Sequence, residues 1–173
     1  MPQPTFNIIF ATSSDFTLPI LQSILDNQGK TLLSVALEQL NDLEKNLEIK
    51  PSPNFENNLL HNYLENIKAK LLEYQNNKHL ENLHKPIKVV AVITQPDREN
   101  RGKIILNPIS TFAVSRNLEL FTPLRLNLEQ EKLARFSPDI VIVASFGQII
   151  STKILAIPTH GFINWHQIGR AHV

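Results

Sequence analysis

The chain contains no cysteine among its 173 residues. This absence excludes disulfide bonds, thiolate metal sites and a cysteine nucleophile. Glycine, tryptophan and methionine are also scarce, at five, one and one residues, and the formal net charge is only +1. A charge so close to zero provides no overall field toward nucleic acid, so any such binding must come from a local basic patch.

Long apolar runs are also missing. No stretch approaches membrane-spanning length, and the N-terminus lacks the basic and apolar regions of a signal peptide. The content of 42% hydrophobic and 19% charged residues is typical of a globular domain with a real core. We therefore expect one domain in a soluble, cytoplasmic protein without membrane partners.

Short apolar, β-branched segments predict the strands of a sheet, and segments with helical periodicity lie between them. The predicted strands lie at 6–11, 88–94, 118–121, 138–146 and 161–166. Asp15 and Asn107 are predicted as helix N-caps, the latter with Pro108 at the first helical position. Strands that alternate with helices indicate an α/β fold, a Rossmann-like open and mostly parallel sheet. The strands at 6–11, 88–94 and 138–146 are predicted to be buried, and the last strand, 161–166, also has the pattern of a buried strand.

Residues 28–86 interrupt this alternation. Two apolar patterns with helical spacing flank a segment that contains Pro51 and Pro53, which must break a helix. We predict an inserted α-helical hairpin whose arms bury their apolar seams against each other; the alternative is a docking arm for a partner or RNA. The seams consist of Leu33, Ala36, Leu40, Leu43 and Leu47 in one arm and Leu60, Leu64, Ile67, Leu71 and Tyr74 in the other.

Ligands of open parallel sheets bind beyond the carboxyl ends of the strands. The last predicted strand brings Asn164 and His166 to such an end, on the same side because they are two residues apart, with Trp165 turned away into packing. An asparagine amide can stabilise an oxyanion and an imidazole can relay a proton, which suits acyl transfer. The alternative is a structural histidine held by hydrogen bonds.

The order of the motifs resembles the N-terminal domain of the methionyl-tRNA formyltransferase family. The resemblance rests on IIFATSSDFTLPIL, VVAVITQPDRENRGK, NPISTFAVSRNLELFTPLRL, PDIVIVASFGQII and GFINWH. It implies transfer of a formyl group from 10-formyltetrahydrofolate, a co-substrate, to the amino group of methionine on initiator tRNA, in translation initiation. The implied partners are folate and charged initiator tRNA. We expect the protein to be a monomer and to bind no metal ion.

The resemblance also implies roles for particular residues. Asn164 and His166 match the first two members of the family's catalytic Asn, His, Asp trio. A basic loop that approaches the tRNA acceptor end matches Arg98, Arg101 and Lys103. The segment that lines the folate pocket matches Ser145, Phe146, Gly147, Gln148, Ile149 and Ile150.

The chain differs from the family pattern at several places. Thr12 stands where the family has a glycine, which is costly if that position needs a positive φ, and Thr111 stands where a lysine is usual. Residues 168–173, IGRAHV, match the translation of a common sequencing-library adapter. The rest of the chain is rich in Asn, Lys and Ile, as an AT-rich gene would encode, and this tail is not. We therefore interpret 1–167 as an incomplete catalytic domain with an insertion at about 28–86, and expect the C-terminal tRNA-binding domain to be absent.

Two other functions remain open at this point. One is a related folate enzyme, such as a formyltetrahydrofolate hydrolase or a sugar-amine formyltransferase, from which the QPDR…RGK loop differs. The other is a non-catalytic binding protein on the same fold. Without the Asp of the trio and the tRNA-binding domain, we expect little formyl transfer from the 173-residue chain. Turnover of methionyl-tRNA near the rate of intact family members would contradict this.

Overall fold

The structure is a computed structural model, and it describes residues 4–48, 55–75, 82, 84–100 and 102–165. Its centre is a five-stranded sheet of β1 (Phe6–Thr12), β2 (Ile87–Ile93), β5 (Leu120–Phe121), β6 (Ile140–Ala144) and β7 (Phe162–Asn164). The strand order across the sheet is β5-β2-β1-β6-β7. The pairs β1–β6, β2–β5 and β6–β7 are all parallel, which confirms the predicted α/β fold with its mostly parallel sheet.

Helices occupy the connections between these strands. They are α1 (Leu18–Asp26), α2 (Leu32–Asn46), α3 (Phe55–Gln75), α4 (Pro108–Ser115), α5 (Gln130–Arg135) and α6 (Thr152–Leu155). A separate antiparallel pair is formed by β3 (Arg98–Asn100) and β4 (Lys103–Ile105). Within the described ranges, no helix combines the length and apolar character needed to cross a membrane.

The central strand β1 is buried on both faces, as its continuous apolar run predicts. Ile9 and Ala11 pack on one side with Leu133 of α5 and Ile154 of α6. Phe10 points to the other side and packs with Leu21 of α1 and with Ile109 and Ala113 of α4. Helices therefore cover both faces of the sheet, and the carboxyl ends of the strands are left for a site.

The start of α1 differs from the prediction. Asp15 is not the N-cap, because a 3-10 turn at Asp15–Thr17 precedes the helix and Thr17 occupies the cap position. The turn closes on Ser14, whose carbonyl oxygen accepts hydrogen bonds from the Thr17 amide at 3.2 Å and the Thr17 hydroxyl at 2.6 Å. These local hydrogen bonds form a tight turn that contains Asp15, so the helix begins only after this turn.

The buried position of Thr12 removes the difficulty of replacing a glycine there. Thr12 is an extended residue of β1, opposite Ala144 of β6, and its φ is not positive. Its hydroxyl lies 2.8 Å from the Thr17 hydroxyl, so the buried side chain is hydrogen-bonded. A threonine therefore fits this strand position without backbone strain.

Helices α2 and α3 lie inside the segment that the apolar periodicity predicts to be helical, and they pack against each other. Leu33 and Leu64 are buried, but Leu43 and Leu60 are 44% and 42% exposed, so the seams are only partly covered. The two arms thus pack against each other as predicted, but they bury only part of their apolar seams. Residues 50–54, with their prolines, lie outside the described residues.

An ion-pair cluster also joins the two helices. Glu44 of α2 contacts Lys68 of α3 at 2.5 Å and His61 Nδ1 at 3.2 Å. The hydrogen bond from Lys68 lowers the pKa of the Glu44 carboxyl, and the same bond raises the pKa of Lys68. The contact is therefore present at neutral pH and weakens as the pH falls through the lowered pKa of Glu44.

We expect the α2–α3 segment to be dispensable for the sheet. Thr31 bridges Pro86, and the Gly29 amide donates to the Ile87 carbonyl oxygen at 2.9 Å, so a short glycine-containing turn can replace residues 32–85. The unfolding free energy should change by about 2 kcal/mol or less, because loop-closure entropy varies by about 0.6 kcal/mol per doubling of length and the replacement amounts to roughly four halvings. Urea unfolding that loses its single cooperative transition would show that the segment belongs to the core.

Candidate active site

The strand order predicts a crevice at the carboxyl ends of β1 and β6, which are neighbours inside the sheet. From β1 the chain builds outward through β2 to β5, and it then returns to the opposite side of β1 with β6 and β7. The loops after β1 and β6 therefore leave the sheet in opposite directions. Such a switch point is where ligands bind in open α/β sheets.

Ser13 joins the two loops at this point. Its amide donates to the Ser145 carbonyl oxygen at 3.2 Å, and its hydroxyl donates to the Phe146 carbonyl oxygen at 2.8 Å. Ser145 and Gly147 have φ values of 51° and 77°, so the chain turns sharply on both sides of Phe146. The ring of Phe146 is buried in the core and anchors the turn.

The rest of the predicted folate segment has mixed surroundings. The Gln148 side chain accepts from the Leu126 amide at 2.8 Å and donates to the Pro123 carbonyl oxygen at 3.1 Å. Ile149 is 91% exposed, whereas Ile150 packs against the core. The segment therefore presents the backbone of 145–147 and the Ile149 side chain, while the side chains of Phe146 and Gln148 hold it in place.

Asn164 ends β7 beside this segment. It is paired with Val143 of β6, and the Trp165 amide donates to the Val143 carbonyl oxygen at 2.7 Å. Asn164 is exposed. Adjacent strands lie about 4.8 Å apart, so the backbone of Asn164 runs beside β6 two residues before the 145–147 turn begins.

Two predictions about this strand are wrong. Ile163 is 53% exposed, so β7 is not buried, because it is the edge strand of the described sheet. Trp165 is 45% exposed and its ring contacts that of the exposed Phe16 at 6.4 Å, so it lies at the surface and is not turned into the interior. The catalytic candidate His166 lies outside the described residues.

The predicted basic loop is a β-hairpin. Arg98 pairs with Ile105, Glu99 with Ile104 and Asn100 with Lys103, and Gly102 in the turn has a φ of 76°. Because side chains alternate along a strand, Arg98 and Lys103 lie on one face and Glu99 lies on the other. Arg101 lies outside the described residues.

Asn107 fastens the hairpin to the end of β2. Its side-chain amide donates to the Thr94 hydroxyl at 2.9 Å and to the Gln95 carbonyl oxygen at 2.7 Å. Its side-chain oxygen accepts from the Ile109 amide at 2.9 Å, which confirms the predicted N-cap of α4. Its own amide donates to Asp97 Oδ1 at 2.7 Å.

A small cavity of about 180 Å³ lies between the hairpin and the strand ends. A wider groove of about 820 Å³ beside it includes Pro96, Leu106 and Thr111, the position where the family pattern has lysine. Among the described residues, no group of three or more histidine, aspartate or glutamate side chains is arranged to hold a metal ion. The small cavity is lined by Ser13, Gln95, Pro96, Arg98, Ile105, Leu106, Asn107 and Pro108.

Sequence patterns alone miss Ser13 and Gln95. Both lie in segments that the motifs include, but their shared partner, the Phe146 carbonyl oxygen, is 133 and 51 positions away along the chain. No local pattern marks such a contact. Only their position directly after buried strands indicates that they lie at the crevice.

Parts of the chain are similar to known proteins. The family model described as formyl transferase matches residues 64–167. The methionyl-tRNA formyltransferase of Clostridium tetani is 44% identical over 92 residues, which cover 50% of this chain and 30% of that protein. The corresponding enzyme of Geobacter sulfurreducens is 38% identical over 82 residues, 45% of this chain and 26% of that protein. The chain thus spans no more than 30% of the length of these relatives.

Proposed function

Since this chain belongs to the formyl transferase family, we propose that it binds 10-formyltetrahydrofolate at the crevice between β1 and β6. We further propose that the acceptor is the amino group of methionyl-tRNA, the substrate in the names of the relatives. Transfer of the formyl group to initiator tRNA places the reaction in translation initiation. The pairing of Asn164 with Val143 supports the proposal, because Val143 lies only two residues before the 145–147 turn.

The reaction needs few chemical groups. The amine nitrogen attacks the formyl carbon, a C–N bond forms, the bond from that carbon to the folate nitrogen breaks, and one proton moves from the amine to the folate nitrogen. Asn164 would donate a hydrogen bond to the carbonyl oxygen as its negative charge develops. His166 would relay the proton. Much of the acceleration then comes from holding the two substrates together.

The folate would lie against residues 145–150. Ser145 and Gly147 supply backbone at the turn, and the exposed Ile149 supplies an apolar surface for the flat pterin ring. Phe146 and Gln148 act through the hydrogen bonds and packing that fix this segment. The six residues thus divide into those that contact the ligand and those that shape its site.

Binding of the folate tests the proposal. Trp165 is the only tryptophan of the chain and follows Asn164 directly, so its fluorescence reports on the crevice. Titration with 10-formyltetrahydrofolate should quench it to saturation, and Asn164→Ala should bind with about the same affinity. A titration without saturable quenching, confirmed by calorimetry, would contradict the proposed site.

The hairpin is expected to bind the phosphates of the tRNA through Arg98 and Lys103. Arg98→Ala and Lys103→Ala should each weaken tRNA binding and reduce the slope of log K against log salt by about 0.7–0.9, the value for one lost phosphate contact. Lys88→Ala is the matched control, because Lys88 is exposed at the amino end of β2 and carries the same charge. Equal slopes for all three variants would show that the hairpin makes no phosphate contact.

A further inference from the structure

The side chain of Gln95 connects the basic hairpin with the 145–147 turn. Gln95 follows β2 and is half-buried. Its Nε2 donates to the Phe146 carbonyl oxygen at 3.1 Å, and its Oε1 accepts from Arg98 Nη2 at 2.9 Å. One amide group thus bridges the proposed tRNA-binding surface and the proposed folate-binding turn.

These two bonds allow only one orientation of the amide. A flipped amide would place its oxygen against the Phe146 carbonyl oxygen and its NH₂ against the Arg98 guanidinium, which has no acceptor. The backbone of Gln95 is also held, because its carbonyl oxygen accepts from Asn107 Nδ2 at 2.7 Å. The side chain is therefore fixed at both ends.

Gly147 makes room for this arrangement. A Cβ added to Gly147 would lie 2.9 Å from Gln95 Nε2, closer than real Cβ atoms come to their neighbours. Gly147 also has a φ of 77°, a conformation that glycine adopts without strain. The glycine is thus favoured by the turn, and a side chain there would also displace the Gln95 amide from its hydrogen bonds.

We infer that Gln95 is a positioning residue that holds the Arg98 guanidinium and the Phe146–Gly147 peptide in their binding arrangement. This inference rests on the proposed function for the identity of the two ligands. Replacing Gln95 should weaken both the tRNA and the folate, although the side chain need touch neither. The expected loss is about three- to tenfold in each affinity, the range for one exposed or half-buried hydrogen bond.

A double-mutant cycle on unfolding tests the contact without any ligand. Gly147→Ala should lower the urea midpoint of the 173-residue chain more in the presence of Gln95 than in the Gln95→Ala background. The backbone strain of an alanine at positive φ is present in both backgrounds and cancels in the cycle. Equal shifts in the two backgrounds would overturn the contact between Gln95 and Gly147.

Ligand binding separates positioning from a purely structural role. Gln95→Glu keeps an acceptor for Arg98 but sets an oxygen against the Phe146 carbonyl, so folate affinity should fall while tRNA binding is retained. Arg98→Met should weaken tRNA alone, and Gln95→Met should weaken both. Less stable variants with unchanged affinities would overturn the inference, whereas a wild-type chain that binds neither ligand would overturn the proposed function as well.

Discussion

Replacing Asn164 with alanine is expected to lower the rate of formyl transfer by about 10²–10³-fold, or about 2.7–4 kcal/mol of barrier, the usual loss for one oxyanion donor. Asn164 ends β7 in an exposed position opposite Val143, and under the proposed function its side-chain amide donates to the carbonyl oxygen of the bound formyl group. Because the bond strengthens as charge develops, the loss should fall on kcat and leave folate affinity nearly unchanged.

A chimera provides the enzyme for this measurement. Residues 1–167 of this chain would be joined to the C-terminal remainder of the Clostridium tetani relative, and steady-state kinetics would be run with methionyl-tRNA. His166→Ala should also lower mainly kcat. The double variant should raise the activation free energy by less than the sum of the two single changes, because both groups act on one reacting centre. If Asn164→Ala keeps its kcat and loses only stability, the asparagine is structural.

Asn107→Ala is expected to reduce the free energy of unfolding by about 1.5–5 kcal/mol. The change removes the N-cap of α4, worth about 0.5–2 kcal/mol, and two further hydrogen bonds of about 0.5–1.5 kcal/mol each. One of these bonds serves the hydroxyl of Thr94, which is fully buried and would lose its partner. Because Asn107 also holds the Gln95 backbone, the loss should extend to folate affinity.

Asn107→Ser separates the two contributions. A serine caps a helix about as well as an asparagine, but it is too short to reach both Thr94 and Gln95. It should therefore recover about 0.5–2 kcal/mol of the loss, measured by urea unfolding. A serine variant as unstable as the alanine variant would show that the cap contributes nothing, and an alanine variant as stable as wild type would contradict the whole account.

Local signals in the sequence were enough to predict the strands and helices of the sheet and one helix N-cap. Continuous apolar runs such as 6–11 predict strands buried on both faces, and the structure has β1 there with helices on either side. Asn107 followed by Pro108 predicts the start of α4 correctly, because a cap depends on bonds within a few residues. Asp15 has the same local chemistry but fails as a cap, since the hydroxyl of Thr17 stabilises a tighter turn first.

The sequence by itself also carried the family resemblance, because the residues of its motifs follow one another along the chain in a recognisable order. The arrangement at the crevice came only with the fold. The basic loop became a hairpin with Arg98 and Lys103 on one face, and the last strand became an exposed edge. Ser13, Gln95 and Phe146 meet although they are far apart in sequence. Hydrogen bonds act over about 3 Å in space, so contacts across the sheet leave no periodic pattern in the chain.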